Sequence, residues 1–407
     1  MVSQNKALQS RLEATLGRFV AMPTDSNDLI ANSDAIKALA SEFVSLGMAV
    51  HVEENAHPWL IATANPKAQS TKRVKILLVI HFDVVSPADD AHFTIRIADD
   101  KIFGRGVIDM KFAAAVAHEL VKDLAAEDTL AAYDFGILIT SDEERGGRDG
   151  ALDFLQKGWR CDLAIVPDGG RDWKVEQRAK GLLYVYLKAE GLSAHSSRTW
   201  EGKNPLPQFL PALQKIIDHF PNDDPNGTVV SINTLQSTNS GAINSTQTPA
   251  WVKAGISVRA FENHQLETAL RFIEQVAAQH GLRVQVSLHD SPVHLLEESP
   301  LVQEFLTALS DVRQKPVEFT QALGASDARY FAALNIPTAI IYPEGGDMHG
   351  ANEWLRRGDL STFYNLLATY LQRNAFNAQN LSLGSIGRLA KYKEAVASIV
   401  KKVQNKL

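Results

Sequence analysis

Acidic and imidazole side chains follow four separate apolar runs of this sequence, directly after three of them and after the loop 343–348 in the fourth. The runs, each with the residues that follow it in the sequence, are 74–80 with His81 and Asp83, 135–140 with Glu143 and Glu144, 163–166 with Asp168, and 337–342 with His349. Carboxylates and imidazoles without a thiolate suit zinc, manganese or cobalt. If the runs are parallel strands, they deliver these side chains to one sheet edge, where open α/β sheets bind ligands. The pattern therefore predicts a metal centre that activates water for hydrolysis.

The spacing of neighbouring residues indicates that they have different tasks. Residues two apart on a strand project to the same side, so His81 and Asp83 lie together, and one can bind metal while the other orients it. Adjacent Glu143 and Glu144 point apart in extended structure, so we expect them to divide their roles. Asp109 adds a carboxylate on a tight glycine-containing loop that precedes an alanine-rich helical stretch.

Each of these residues, taken alone, also has an ordinary structural explanation. A single histidine such as His81 or His349 is more often a hydrogen-bonded residue than a ligand. Asp109 could cap the helix that follows it, and Asp168 with its two glycines could form a turn. Their joint placement behind four apolar runs favours the metal centre.

The elements that position these residues indicate an α/β fold with a mainly parallel sheet. The four runs are the predicted strands, and residues 112–125 are a predicted helix. A second pattern reads strand, helix, strand, strand, helix, strand, which is the ferredoxin-like split unit. Its predicted elements are 182–189, 206–220, 229–235, 251–261, 266–280 and 282–289.

This order predicts three regions in the chain of 407 residues. Residues 1–179 and 293–375 form a discontinuous catalytic, metal-binding domain. Residues 180–292 form a ferredoxin-like (α+β) domain inserted into it. Residues 376–407 form a C-terminal extension, predicted to be helical.

Composition excludes several classes of function. The formal net charge of −6 argues against a nucleic-acid partner, because phosphate binding normally needs a basic face. Residues 1–25 form an amphipathic pattern and not a signal peptide, and no apolar stretch reaches 18 residues, so we expect a cytoplasmic protein with no membrane partner. Cys161 is the only cysteine, which excludes an intrachain disulfide and a cysteine-based zinc site.

Five short motifs together resemble one known family. They are His-Phe-Asp-Val-Val at 81–85, Gly-Arg-Gly-Val-Ile-Asp-Met-Lys at 104–111, Asp-Glu-Glu at 142–144, Ala-His-Ser-Ser at 194–197 and Met-His-Gly-Ala-Asn-Glu at 348–353. The sequence is thus similar, over about residues 10–375, to the co-catalytic zinc exopeptidases and deacylases. That family includes aminoacylase, glutamate carboxypeptidase, succinyl-diaminopimelate desuccinylase, carnosinase and peptidase T.

The resemblance implies a role for each candidate in the catalytic domain. Two divalent ions per subunit are implied, zinc first and manganese or cobalt as alternatives. The implied roles are His81 and Asp168 on one metal, Glu144 and His349 on the other, Asp109 as the bridge, Glu143 as general base, and Asp83 as the residue that fixes the His81 ring. A cis peptide bond between Asp109 and Met110 is also implied.

The resemblance further implies that the inserted domain is a lid that forms a homodimer. His195 would then reach the active site of the neighbouring subunit and polarise the scissile carbonyl. Asn244, Arg259 and Arg329 stand at positions where family members bind the substrate carboxylate or backbone. Ile80 and Phe112 replace glycines usual in the family, which affects the expected substrate preference and not the ligands.

The substrate remains open between two amide classes. Dipeptidase-type members usually carry aspartate at the Asp168 position, which favours a dipeptide or short peptide with a free amino end. The alternatives are an N-acyl amino-acid deacylase or a carboxypeptidase on the same site. A dinuclear phosphoesterase is disfavoured because the strand-end clusters carry only Arg145 and Arg148 as basic residues. A non-catalytic metal-binding protein is disfavoured because every ligand and Glu143 are present.

Overall fold

The structure is a computed structural model that describes residues 2–220, 224–238 and 246–377. Two compact units make up the chain: residues 1–176, 295–320 and 326–407 form the first, and residues 177–294 and 321–325 form the second. The sequence placed the inserted domain at 180–292 and did not include 321–325. The predicted helical extension lies, from residue 378 onward, outside the described residues.

Helices and strands alternate along most of the described chain. The α-helices are α1 (Val2–Val20), α2 (Leu29–Ser45), α3 (Lys67–Thr71), α4 (Lys111–Ala126), α5 (Asp153–Gln156), α6 (Leu206–His219), α7 (Asn263–Gln279), α8 (Pro300–Arg313), α9 (Ala328–Ala332) and α10 (Asp359–Asn374). The strands are β1 (Ala49–Glu53), β2 (Trp59–Thr63), β3 (Arg73–His81), β4 (Arg96–Ala98), β5 (Lys101–Phe103), β6 (Phe135–Thr140), β7 (Arg160–Val166), β8 (Val175–Ala179), β9 (Gly181–Glu190), β10 (Val229–Ser237), β11 (Trp251–Ala260), β12 (Arg283–Asp290), β13 (Val293–His294), β14 (Phe319–Ala322), β15 (Thr338–Ile340), β16 (Gly345–Gly346) and β17 (Trp354–Arg356).

The central sheet of the first unit has six strands in the order β1-β2-β6-β3-β7-β15. Strands β6, β3, β7 and β15 run parallel to one another, whereas β1 and β2 are antiparallel additions at one edge. All four apolar runs singled out in the sequence are these parallel strands. The prediction of a mainly parallel sheet is therefore confirmed.

Strand β3 is apolar from Ile76 to Ile80, where both of its faces are covered. Ile76, Leu78 and Ile80 belong to the larger core cluster of the unit, together with residues of α1, α2, α4, α8 and α10. Leu77 and Val79 alternate with them and are equally buried. Helix α4 packs into that core through a run of small buried alanines, which allow close approach of its neighbours.

The second unit contains a four-stranded antiparallel sheet in the order β10-β11-β9-β12. Its elements follow one another as β9, α6, β10, β11, α7 and β12, so the predicted ferredoxin-like order is observed. Leu183, Val185 and Leu187 of β9 are buried in a separate core with α6 and α7. The alternate residues of β9 are only partly covered, which is the pattern of a sheet with one packed face.

A second small sheet in the first unit brings two loops together. Strands β16, β17, β5 and β4 pair in that order, and Trp354 of β17 lies opposite Phe103 of β5. The loop that carries Asp109 follows β5, and the loop that carries His349 precedes β17. Pairing of these short strands therefore places the two loops side by side. The sequence reading missed this sheet because its strands are only two or three residues long.

Candidate metal centre

The ends of the parallel strands supply most of the candidate ligands. His81 is the last residue of β3, and Asp168 lies two residues beyond the end of β7. A short 3₁₀ turn, Glu143–Arg145, follows β6 and carries the two glutamates. Because β6, β3 and β7 are adjacent and parallel, their carboxyl ends meet at one edge of the sheet.

Asp109 faces both candidate histidines. Its Oδ1 lies 2.9 Å from Nε2 of His81, and its Oδ2 lies 3.0 Å from Nε2 of His349. Nε2 of His349 is also 3.4 Å from Oε1 of Glu144. One carboxylate thus presents a different oxygen to each imidazole, and a residue placed in this way can bridge two cations.

Two overlapping groups of donor atoms meet at this position. The first contains His81, Glu143 and Asp168, and the second contains His81, Asp109 and Glu144. In each group the donor atoms lie within 4.8 Å of one another. All five predicted ligands are therefore brought together in the first unit. The peptide bond between Asp109 and Met110 is cis, as the resemblance implied.

Asp83 contacts the site in two ways. Its main-chain oxygen lies 2.9 Å from Nδ1 of His81, whereas its Oδ1 is 3.7 Å from the same nitrogen. The carboxylate instead accepts hydrogen bonds from the main-chain N–H groups of Glu143, at 3.2 Å, and Glu144, at 3.1 Å. The prediction had the side chain orient the His81 ring. In the structure the carbonyl faces the ring more closely, and the side chain holds the turn that carries the two glutamates.

Asp109 and the two histidines stabilise one another's charged forms. Burial opposes the charge of Asp109, but hydrogen bonds from His349 and His81 outweigh it and lower the pKa of Asp109 well below its usual value. The contacts with Asp109 and Glu144 raise the pKa of His349 to about 10.

The carboxylates that share no hydrogen bond with an imidazole behave in the opposite way. Burial, together with repulsion from Glu144, raises the pKa of Glu143 to about 7. Burial and the neighbouring Glu143 and Asp109 carboxylates raise the pKa of Asp168 well above its usual value. Burial also raises the pKa of Asp83 to about 7. A surplus of buried carboxylates over imidazoles calls for added positive charge, so the donor set fits divalent cations.

The guanidinium of Arg329 is buried and holds the main chain of the site. Its Nη2 donates to the carbonyl of Gly146 at 2.7 Å, and its Nη1 donates to the carbonyl of Ser326 at 2.9 Å. Gly146 directly follows the Glu143–Arg145 turn. In this structure Arg329 therefore supports that turn. The sequence predicted substrate binding for Arg329 and gave no indication of this contact.

A buried carboxylate beside this turn was missed from the sequence. Both carboxylate oxygens of Asp327 are buried and accept no hydrogen bond among the described residues. Burial and the charge of Glu143 raise the pKa of Asp327 to about 8. Asp327 approaches Gly147 so closely that a Cβ added there would lie 1.9 Å from Oδ1. Its position two residues before Arg329 gave no signal in the sequence, because its contacts are made only in the folded chain.

The remaining predicted site residues belong to the second unit. His195 is exposed, and its Nδ1 lies 2.8 Å from the hydroxyl of Ser197. Arg259 is on β11 opposite Leu182 of β9 and is partly buried. Asn244 lies outside the described residues.

A family model agrees with this site. The model of peptidase family M20/M25/M40 matches residues 77–373, which include every candidate ligand. The chain belongs to this peptidase family. It is thus an enzyme of a metal-dependent family that hydrolyses amide or peptide bonds, as the sequence predicted.

Individual relatives of the M20 chain fall into both substrate classes raised by the sequence. A succinyl-diaminopimelate desuccinylase of Rickettsia massiliae is 26% identical over 317 residues, which cover 73% of this chain and 82% of the relative. An aminopeptidase PepT structure from Bacillus cereus superimposes with a TM-score of 0.70 at 19% identity, covering 89% of this chain and 98% of that one. A tripeptidase structure from Staphylococcus aureus gives a TM-score of 0.71 at 18% identity, with 90% and 98% covered. The structural matches establish the fold. No helix within the described ranges has both the length and the apolar character to cross a membrane.

Proposed function

We propose that this M20 chain hydrolyses the peptide bond of a dipeptide or short peptide with a free amino end, at a centre of two divalent cations. The observation that carries the proposal is Asp109, which presents one carboxylate oxygen to His81 and the other to His349. Zinc is the expected metal, with manganese or cobalt as alternatives, since the donors are imidazoles and carboxylates without thiolate.

The ligands divide into two sets around Asp109. His81 and Asp168 would hold one cation, Glu144 and His349 the other, and Asp109 both. When bound, the cations supply Lewis acidity that activates water and polarises the substrate carbonyl.

Glu143 would act as the proton carrier of the reaction. It belongs to the donor group with His81 and Asp168, and burial raises its pKa to about 7. A carboxylate with a pKa near the working pH can take a proton from water and return it to the leaving amine. Asp83 would keep this turn in place through the main-chain N–H groups of Glu143 and Glu144.

The second unit would complete the substrate site. Arg259, together with Asn244, would bind the substrate carboxylate or backbone, and His195 would act in the site of a neighbouring subunit. This part of the proposal includes a homodimer formed through the second unit, and a cytoplasmic location. The exposed position of His195 supports only its action on a neighbouring subunit.

Deacylation of an N-acyl amino acid is the second candidate function. The 26% identical desuccinylase favours it, whereas aspartate and not glutamate at position 168 favours the peptide.

A substrate panel separates the two. We would measure hydrolysis of dipeptides, tripeptides, and N-acetyl and N-succinyl amino acids after loading with Zn²⁺, Mn²⁺ or Co²⁺ separately. We expect the highest kcat/KM on peptides with a free amino end, and loss of activity on chelation. Preference for N-acyl amino acids would replace the first proposal with the second, and activity that survives complete removal of metal would contradict both.

A further inference from the structure

Two buried charged residues outside the donor set connect the Asp109 loop to the His349 loop. Only 2% of Arg105 and 3% of Glu353 is exposed. Nη1 of Arg105 donates to Oε2 of Glu353 at 2.6 Å. Neither residue is a candidate ligand or belongs to the proposed catalytic set, although both fall within motifs singled out in the sequence.

Glu353 holds the main chain that leads to Asp109. Its Oε2 also accepts from the N–H of Gly106 at 3.1 Å. Its Oε1 accepts from the N–H groups of Ile108, at 3.1 Å, and Asp109, at 3.3 Å. Each carboxylate oxygen therefore has two donors, and three of the four donors are main-chain groups of the loop that ends at Asp109.

Arg105 reaches the second loop with its other terminal nitrogen. Nη2 donates to the carbonyls of His349, at 3.1 Å, and Gly350, at 3.2 Å. His349 has a φ of 62°, in the left-handed region that side-chain-bearing residues seldom adopt, so external contacts must hold it there. The ion pair thus contacts both the loop of Asp109 and the loop of His349. These two residues face each other through Oδ2 of Asp109 and Nε2 of His349.

We propose that Arg105 and Glu353 are positioning residues that set the separation of the Asp109 carboxylate and the His349 imidazole, and thereby the affinity of the centre for its divalent cations. The inference rests on the proposed two-cation function. It adds a requirement beyond the ligands themselves, which is that one buried ion pair holds the loops of both Asp109 and His349.

The chemistry of the two side chains explains why near relatives cannot replace them. Glutamine at 353 would accept with one oxygen only, and its amide nitrogen would face N–H donors that then have no acceptor. Lysine at 105 keeps the charge but lacks the planar fork whose two nitrogens reach Glu353 and the His349 carbonyl together. Both replacements keep similar size, so they test geometry without opening a large cavity.

The experiment compares Glu353→Gln and Arg105→Lys with the wild type and with Glu119→Gln. Glu119 is a matched control because it is a buried glutamate of the same unit, accepting from the Thr15 hydroxyl at 2.8 Å. Affinity for Co²⁺ would be measured by competition with a chelator, together with the visible absorption spectrum of the Co²⁺ protein. Thermal unfolding of the metal-free proteins would report stability separately.

We expect Co²⁺ affinity about 10–100-fold weaker in Glu353→Gln and Arg105→Lys, with a changed Co²⁺ spectrum, and wild-type affinity in Glu119→Gln. Wild-type affinity and spectrum in both site variants would overturn the inference. If Glu353→Gln does not fold, Arg105→Lys decides in the same way. A wild type that binds none of Co²⁺, Zn²⁺ and Mn²⁺ would overturn the proposed function itself, whereas a wild type that binds two ions beside unaffected variants would overturn only the positioning role.

Discussion

At the scale of single residues, neighbours and not residue type decide the behaviour of the acidic groups. Asp109 and Asp168 are both aspartates of the same site, yet the imidazoles beside Asp109 lower its pKa, whereas burial and the carboxylates beside Asp168 raise its pKa. Burial raises the pKa of Glu143, and the carboxylate of Glu143 lies among the donor atoms of the site. An array of this kind suits a site in which one carboxylate bridges cations and another exchanges a proton.

Replacement of Glu143 by glutamine tests the proton carrier. The variant keeps the size of the side chain and the main-chain N–H that Asp83 accepts. We expect near-normal metal content and a turnover lower by about 10²–10⁴-fold, because the amide cannot accept the proton of water. Metal analysis and steady-state kinetics on the same preparation check this result. Near-normal turnover at full metal occupancy would contradict the assigned role.

At the scale of elements, helix α4 connects the site to the core of the first unit. At its start, buried Lys111 donates to the carbonyls of Phe19, at 3.1 Å, and Met22, at 2.7 Å, and so ties the end of α1 to the helix that follows Asp109. At its other end stands Glu127, whose Oε2 is buried with no hydrogen-bond partner among the described residues. An acidic residue there also meets the negative end of the helix dipole.

The raised pKa of Glu127 predicts that the stability of the protein depends on pH. Burial and the charge of Asp123 raise the pKa of Glu127 to about 7 from a usual value of 4.5. The native state therefore holds a proton that the unfolded state releases, and this contribution to stability, complete below the unfolded pKa, is lost as the pH rises through about 7. The free energy of unfolding of Glu127→Gln should therefore exceed that of the wild type at pH 8 by about 1 kcal/mol, after allowance for solvent screening. At pH 5 the difference should be smaller.

Denaturant unfolding at the two pH values measures this difference. Glu54→Gln is the control, because it removes the same charge from an exposed loop of the same unit. A gain at pH 8 that is equal in both variants would indicate a general effect of net charge, and would contradict the specific role of Glu127.

At the scale of the whole molecule, the chain carries its candidate chemistry in both units. The ligands and Glu143 belong to the first unit, and His195 belongs to the second, where its ring is exposed beside Ser197. A histidine that acts in the site of a neighbouring subunit requires an oligomer, and the two-fold dimer is the commonest kind.

Subunit mixing tests this arrangement. His195→Ala and Glu143→Gln should each be nearly inactive alone. If His195 acts across the dimer, one site of each mixed dimer regains both residues, so random exchange should restore about a quarter of wild-type activity. The measurement is activity after exchange, with the mixed dimer verified by two different affinity tags. No recovery despite verified exchange would mean that His195 serves its own chain or has no role.

Local patterns in the sequence were sufficient to predict the parallel strands, the candidate donor residues and the family. A strand that is covered on both faces, such as β3, has apolar residues on both faces. In an open α/β sheet, the residues that bind ligands follow the carboxyl ends of the strands. The two short motifs around Asp109 and His349 were enough to single out both residues as candidate ligands, and the structure places their side chains in contact. The strands β1 and β2, which extend the parallel strands at one side of the sheet, were missed from the sequence.

The groups that hold the candidate ligands in place are evident only from the packing of the folded chain. Arg105 and Glu353 are 248 positions apart, and their pairing depends on how β5 and β17 associate. The same holds for Arg329, which donates to the carbonyl of Gly146 from 183 positions away. Local patterns specify which elements form, but the partner of a buried charge is chosen by the packing of those elements, because the cost of leaving it unpaired appears only once water is excluded.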